Sequence, residues 1–356
     1  MENVHEARYW RRLPNGRIQC DLCPRECTLD EGQRGLCFVR ARRGEGMVLT
    51  TYALASGFCL DPIEKKPLNH FLPGTSVLSF GTAGCNLTCK FCQNWHMSKT
   101  RDAAALSQKA TPEAIALAAE RLGAPSVAMT YNDPVIYHEF AVDTARACRR
   151  RGIRAVAVTA GYLNPEPAVE FFSVMDGANV DLKGFSESFY HRLTGGHLQP
   201  VLEVLIHLKR HTTVWVELTT LLIPGENDSA VELRAMGEWI GRELGPETPL
   251  HFTAFHPDWK LQDHPPTSPE SLRQARTIAR ECGLRYVYTG NVRDREGGST
   301  HCHHCGHLLI DRDSWTLRGW GLTPEGRCQR CGTPCAGVFQ ATPGTWGARR
   351  IPVTLE

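Results

Sequence analysis

Short apolar runs recur through the middle of the chain at 77–80, 126–130, 155–159, 178–182, 213–218, 250–254 and 285–289. Runs of this length bounded by turn residues predict buried strands, and a helical pattern follows nearly all of them. Four helix starts share one device, at Thr111-Pro112, Asp133-Pro134, Asn164-Pro165 and Ser268-Pro269. There a capping side chain precedes a proline whose missing N–H and fixed φ suit the first helical position. Repeated βα units predict a parallel sheet, either doubly wound or barrel-like, and periodicity leaves both open.

Composition narrows the class. A chain of 356 residues with 42% apolar content holds one large α/β domain and small appendages. A net charge of +2 makes no electrostatic case for nucleic acid or an anionic membrane surface. The opening Met1-Glu2-Asn3-Val4-His5-Glu6 lacks a basic-then-apolar layout, and no apolar run reaches membrane-spanning length, so a cytoplasmic location is expected. The 15 cysteines cluster at ligand spacings in a large chain and are read as metal ligands in a reducing compartment.

Those cysteines divide the chain into a β-rich module (1–70), a βα domain (71–296) and a final module (297–356). Cys20, Cys23, Cys27 and Cys37 form the first group, suited to a tetrahedral zinc site or an auxiliary iron–sulfur cluster; the sequence does not choose. In the last group, Cys302-x2-Cys305 and Cys328-x2-Cys331 are knuckles each followed by glycine, the layout of a zinc ribbon. His301, His303, His304 and Cys335 are spare ligands nearby. Between these groups, Cys85-x3-Cys89-x2-Cys92 directly follows the first predicted strand. A zinc site would want a fourth ligand, for which His96 is the local candidate, and a ferredoxin run would want a fourth nearby cysteine. Three thiolates on a [4Fe-4S] cluster instead leave one iron open to a small molecule.

With Phe91 before the last cysteine, the motif Gly84-Cys85-Asn86-Leu87-Thr88-Cys89-Lys90-Phe91-Cys92 resembles that of the radical S-adenosylmethionine (SAM) superfamily. The resemblance implies a partial (β/α)6-type parallel barrel with chemistry at the C-terminal strand ends. It also implies a [4Fe-4S] cluster on Cys85, Cys89 and Cys92 that cleaves SAM reductively to a 5′-deoxyadenosyl radical, with an external electron donor such as flavodoxin or ferredoxin. Asn132 and Asp133 stand where such enzymes often carry a Gly-Gly-Glu contact to the SAM amino group; Asp133 is equally a helix N-cap. Asp181-Leu182-Lys183 is similar to a segment of glycyl-radical-enzyme activases, which implies a cation site at Asp181 and a methionine-carboxylate contact at Lys183. An internal salt bridge is the alternative for that pair. His256 occupies a SAM-proximal histidine position, and Pro224-Gly225-Glu226-Asn227-Asp228 resembles a turn of the same activases.

Together with Asp61 through Pro67, Asn179 through Phe185 and Phe255-His256-Pro257-Asp258, these segments resemble the AmmeMemoRadiSam-system radical SAM enzymes, a subgroup similar to pyruvate formate-lyase activating enzyme. That likeness implies association with Memo-like and AMMECR-like proteins. The expected function is hydrogen abstraction from an unidentified small-molecule or protein substrate. The alternatives are a glycyl-radical-enzyme activase and a non-catalytic metal-binding scaffold.

Overall fold

The structure is a computed structural model that describes residues 4–101 and 108–355. Its centre is a ten-stranded sheet containing seven parallel strands: Ser76–Gly81, Ser126–Met129, Arg154–Thr159, Gly177–Asp181, Trp215–Leu222, Leu250–Ala254 and Val287–Gly290. Each pairs only with its sequence neighbours, so the strand order never reverses. A doubly wound sheet requires such a reversal, whereas a barrel wall forbids it. The wall stays open, because Val287–Gly290 ends one side and the antiparallel strands Leu54–Pro62 and Ile351–Pro352 end the other.

Three sequence expectations shift. The antiparallel strand Leu54–Pro62 had no counterpart among the predicted runs, although eight of its nine residues are buried or half-buried. The fifth strand begins at Trp215 rather than 213, because Thr212 closes the preceding helix Leu198–His211: its hydroxyl donates to Leu208 O at 2.6 Å and accepts from Val214 N at 3.3 Å. Thr111 and Ser268 cap their helices as expected, and Asp133 caps a 3-10 turn, Pro134–Tyr137, that leads into His138–Arg150. Asn164 makes no cap bond. Its amide donates instead to Asp21 O at 2.8 Å, tying the N-terminal segment to the wall.

Two small antiparallel sheets form the N-terminal segment: His5–Glu6 with Gly46–Leu49 and Arg40–Arg43, and Trp10–Arg12 with Ile18–Cys20 and Thr28–Leu29. Ile18, Leu22, Leu29 and Val39 belong to the same continuous core as the barrel residues. The segment is therefore packed on the barrel, and its contacts exclude water from both sides of that junction. The three-stranded C-terminal sheet, Thr300–His301 with Leu308–Asp313 and Thr316–Trp320, instead has its own core around Leu309, Ile310 and Tyr286. Buried Arg312 braces the sheet through Thr300 Oγ1 at 2.8 Å and docks it by donating to Asn69 O at 2.5 Å.

Candidate active site

The chain leaves the first parallel strand at Gly81 and enters a loop whose backbone is held almost residue by residue. Asn132 accepts from Thr82 N at 3.0 Å and donates to Gly84 O at 2.8 Å. Asn86 donates to Tyr162 O at 2.9 Å, Arg25 donates to Asn86 O at 2.8 Å and Lys99 donates to Leu87 O at 2.8 Å. Thr88 N and Lys90 N bond to Thr194 O and Leu193 O at 2.8 and 2.9 Å. Gly84 has φ +86°, and a Cβ there would collide with the Cys37 carbonyl, so both conformation and contact require glycine. Phe91 is buried against Phe189, which anchors the loop between Cys89 and Cys92. Loops carrying chemistry gain precision from such fixing.

This scaffold gathers the three thiols. Cys89 is buried; Cys85 and Cys92 are partly exposed. Burial pushes the Cys89 thiol up to about 12, opposed by the Lys183 and Lys99 ammoniums and reinforced by its two partner cysteines. Burial raises Cys85 too, with Asp133 adding to the rise and Lys99 and the Leu87 N–H opposing it. Cys92 Sγ meets Ser98 Oγ at 3.0 Å. Lys99 thus lies near both Cys85 and Cys89 and Lys183 near Cys89, and those two thiols are strongly favoured as thiolates only when a metal is bound.

Their spacing discriminates between kinds of metal. Among the described residues, one group of metal-ligating atoms lies wholly within 4.8 Å, and it is Cys302, Cys305, Cys328 and Cys331. Cys302 and Cys331 approach to 3.6 Å and Cys305 and Cys328 to 3.7 Å, as four ligands of one tetrahedral ion would. Cys335 stays outside, against His70 at 3.9 Å. Cys85, Cys89 and Cys92 are electrostatic neighbours without that tight approach, which suits thiolates on separate irons of a cubane. Cys20, Cys23, Cys27 and Cys37 gather in the N-terminal segment beside Asn86.

The other predicted residues surround the loop in different ways. Asp133 is buried, accepting from Thr159 Oγ1 at 2.8 Å, Val135 N at 3.2 Å and Ala160 N at 3.1 Å, so it ties the second strand end to the third. Burial raises its carboxyl, and those donors oppose the rise. Asp181 and Lys183 pair at 2.7 Å. Burial works against the Lys183 ammonium, yet Asp181 and Cys89 outweigh it and hold its pKa above the usual lysine range. The pair is an internal salt bridge and also a neighbour of the thiols. Asn227, from the Pro224 turn, donates to Lys183 O at 2.8 Å and accepts from Ile223 N at 2.7 Å, shaping the loop over that pair. His256 is exposed, with only Pro257 O near its ring at 3.3 Å among the described residues.

Strand register adds what the sequence reading missed. Asp181 pairs with Thr219, and Thr219 with His251, so the three side chains stand abreast on one face of the wall. Asn179 Oδ1 and Thr219 Oγ1 are buried on this wall without a hydrogen-bond partner among the described residues. Orphaned polar atoms of this kind fit a polar ligand or water rather than a closed core. Trp95 donates to Asp258 at 3.0 Å and stacks on Trp259 at 4.9 Å, closing the sixth strand end onto the cysteine loop. Neither contact is visible in spacing, although Asp258 lies in a segment that carried the resemblance.

The residues present therefore fit a site-differentiated cluster and a polar ligand at the C-terminal strand ends. A family model described as the Radical SAM superfamily matches residues 80–235. The chain is 40% identical over 330 residues to the "Uncharacterized protein MJ0808" of Methanocaldococcus jannaschii, covering 92% of this chain and 98% of that one. It is 21% identical over 232 residues to the pyruvate formate-lyase 1-activating enzyme of Escherichia coli K12, covering 61% of this chain and 93% of that enzyme. A radical SAM methyltransferase from Sphaerobacter thermophilus has a similar fold, with a TM-score of 0.50 and 16% identity over 86% of this chain and 82% of that one. Fold, cysteine loop and kinship together make this chain a member of the radical SAM superfamily, in one family with the M. jannaschii protein.

Proposed function

We propose that the protein cleaves SAM reductively and uses the resulting radical to abstract hydrogen from a small-molecule or protein substrate, within an AmmeMemoRadiSam-type system. The observation that carries this reading is the pinned three-thiol loop flanked by Lys183 and Lys99 at the C-terminal strand ends. When bound, a [4Fe-4S] cluster supplies one electron and an open iron to SAM, which yields methionine and a 5′-deoxyadenosyl radical.

The chain's own residues bind and orient. Cys85, Cys89 and Cys92 would each hold one iron. Lys183 offers its ammonium to the methionine carboxylate, and Asp181 holds that ammonium in place at 2.7 Å or takes a cation in exchange. A carboxylate accepts about four hydrogen bonds. Asp133 uses three at the ends of the second and third strands and keeps one, on Oδ2, for the SAM amino group. Both Asn132 amide hydrogens are engaged by Thr82 Oγ1 and Gly84 O, so it acts as a positioning residue. His256 is free to orient SAM or move a proton from its exposed ring. Zinc is the metal proposed for the four ribbon cysteines, as a structural staple. A flavodoxin or ferredoxin supplies the electron, Memo-like and AMMECR-like proteins are the associated partners, and the reducing cytoplasm is the proposed compartment.

The wild type, reconstituted without oxygen and reduced, should form 5′-deoxyadenosine and methionine from SAM, and Cys85→Ala should form none. Retained product in Cys85→Ala would overturn the assignment. The likeness to the E. coli enzyme favours one second reading, activation of a glycyl radical enzyme. It predicts that a partner protein acquires a glycine-centred radical signal on incubation with SAM and the reduced protein.

A further inference from the structure

The N-terminal cysteines form a second centre, and their geometry separates zinc from a cluster where spacing in sequence did not. Cys20, Cys23, Cys27 and Cys37 line one cavity together with Arg40 and Asn86. All four are electrostatic neighbours, since Cys23 is influenced by each of the other three. Unlike the ribbon thiols, they do not converge within 4.8 Å of one another. The ribbon is an internal standard here. The same chain draws four thiols to single-ion spacing in one place and arranges four thiols around a void in another.

The cavity wall also carries donors that an anionic cluster would use. Arg40 is 2% exposed and ion-pairs with Glu139 at 2.9 Å, but its Nε is buried without a partner among the described residues. Arg25 Nη2 is another such orphan. Leu36 N donates to Cys27 Sγ at 3.5 Å. Hydrogen bonds to thiolate and sulfide sulfur are among the levers that set cluster potential.

We infer that Cys20, Cys23, Cys27 and Cys37 hold a second [4Fe-4S] cluster, fully thiolate-ligated, built against the SAM-cluster loop. Asn86 lies between the two sets, next in sequence to Cys85 and on the wall of the second cavity. Gly84 lies against the Cys37 carbonyl. Four protein ligands leave no open iron, so the second centre carries electrons rather than substrate. It accepts one electron from a reduced one-electron donor, which is thereby oxidised, and passes it to the cluster on Cys85, Cys89 and Cys92. Cys27 and Leu36 form its more exposed side, where such a donor would approach. The relay role rests on the radical SAM reading; the site itself does not.

The test uses the full chain reconstituted without oxygen, with iron and zinc counted and electron paramagnetic resonance (EPR) recorded after reduction. The wild type should carry about eight irons. The triple variant Cys85→Ala, Cys89→Ala, Cys92→Ala should keep about four, with a spectrum that ignores SAM. Cys20→Ser with Cys23→Ser should lose about four and keep a SAM-responsive signal. Magnetic broadening between the two reduced clusters should be present in the wild type and absent from both variants. A triple variant without iron, or with a second zinc per chain, would overturn the proposal. The triple variant leaves the N-terminal segment intact, so a misfolded Cys20 variant does not affect this outcome. If the triple variant keeps its cluster while the wild type ignores SAM, the second centre stands and the radical SAM reading fails.

Discussion

Lys183 shows how one side chain serves two neighbours. Its ammonium is held by Asp181 at 2.7 Å and lies near Cys89, so it balances thiolate charge while remaining 15% exposed for a ligand. Lys183→Met should leave cluster content unchanged and raise the SAM concentration needed for half-maximal binding at least about tenfold, the equivalent of one charge-assisted hydrogen bond. Isothermal titration on the reconstituted protein measures this; unchanged affinity would restrict Lys183 to a salt-bridge role. At this scale the sequence was informative about ligands and poor about braces. Cysteine spacing pointed to the C-terminal tetrad that the structure gathers within 4.8 Å, because ligand chemistry fixes local intervals. Asn132 to Gly84 and Trp95 to Asp258 span 48 and 163 positions, and no local pattern encodes such contacts.

At the scale of elements, the antiparallel strand Leu54–Pro62 was the main omission, and Asp61 explains how it is secured. Its fully buried carboxylate accepts from Lys66 at 2.7 Å, Lys65 at 2.9 Å and Tyr131 at 3.3 Å, and Arg350 lies at 3.4 Å. It therefore ties this strand to the loop after the second parallel strand and to the residue before the C-terminal strand Ile351–Pro352. Burial opposes its ionisation, but the two lysines outweigh burial and hold its carboxyl well below the usual carboxylate range. A carboxylate depressed in this way binds protons more weakly folded than unfolded. Its stability contribution is complete above the ordinary aspartate pKa of about 4 and is lost as pH falls through the depressed value. Asp61→Asn should cost roughly 3–5 kcal/mol at pH 7, because the Lys66 ammonium is left buried without its counter-ion, and should flatten the acid limb of stability. Urea melts across pH measure both effects. The capping prolines were legible because the device is local; Asn164 was misread because its amide is used across modules, a choice made by tertiary packing.

Across the whole molecule, the parallel wall was legible from alternating strands and helices, but whether it wound once or twice was not. That depended on strand order, which the pairings supply. The terminal segments attach by different means, the first through a shared core and the second through its own small core and Arg312. Cys305→Ser with Cys328→Ser should therefore remove the metal proposed for the four C-terminal cysteines and loosen that sheet, while the proposed SAM cleavage persists; loss of the iron bound at Cys85, Cys89 and Cys92 would contradict this division. No described helix is long and apolar enough to cross a membrane.

The account's central claim is an open iron at Cys85, Cys89 and Cys92 that binds SAM. The most direct measurement is the EPR spectrum of the reduced protein with and without SAM, made in the Cys20→Ser, Cys23→Ser background so that one cluster is observed. The account predicts that SAM shifts the g-values of a [4Fe-4S]+ signal and that the shift is absent when Cys85 is also replaced by alanine. A well-formed cluster whose spectrum is unchanged by saturating SAM would contradict it.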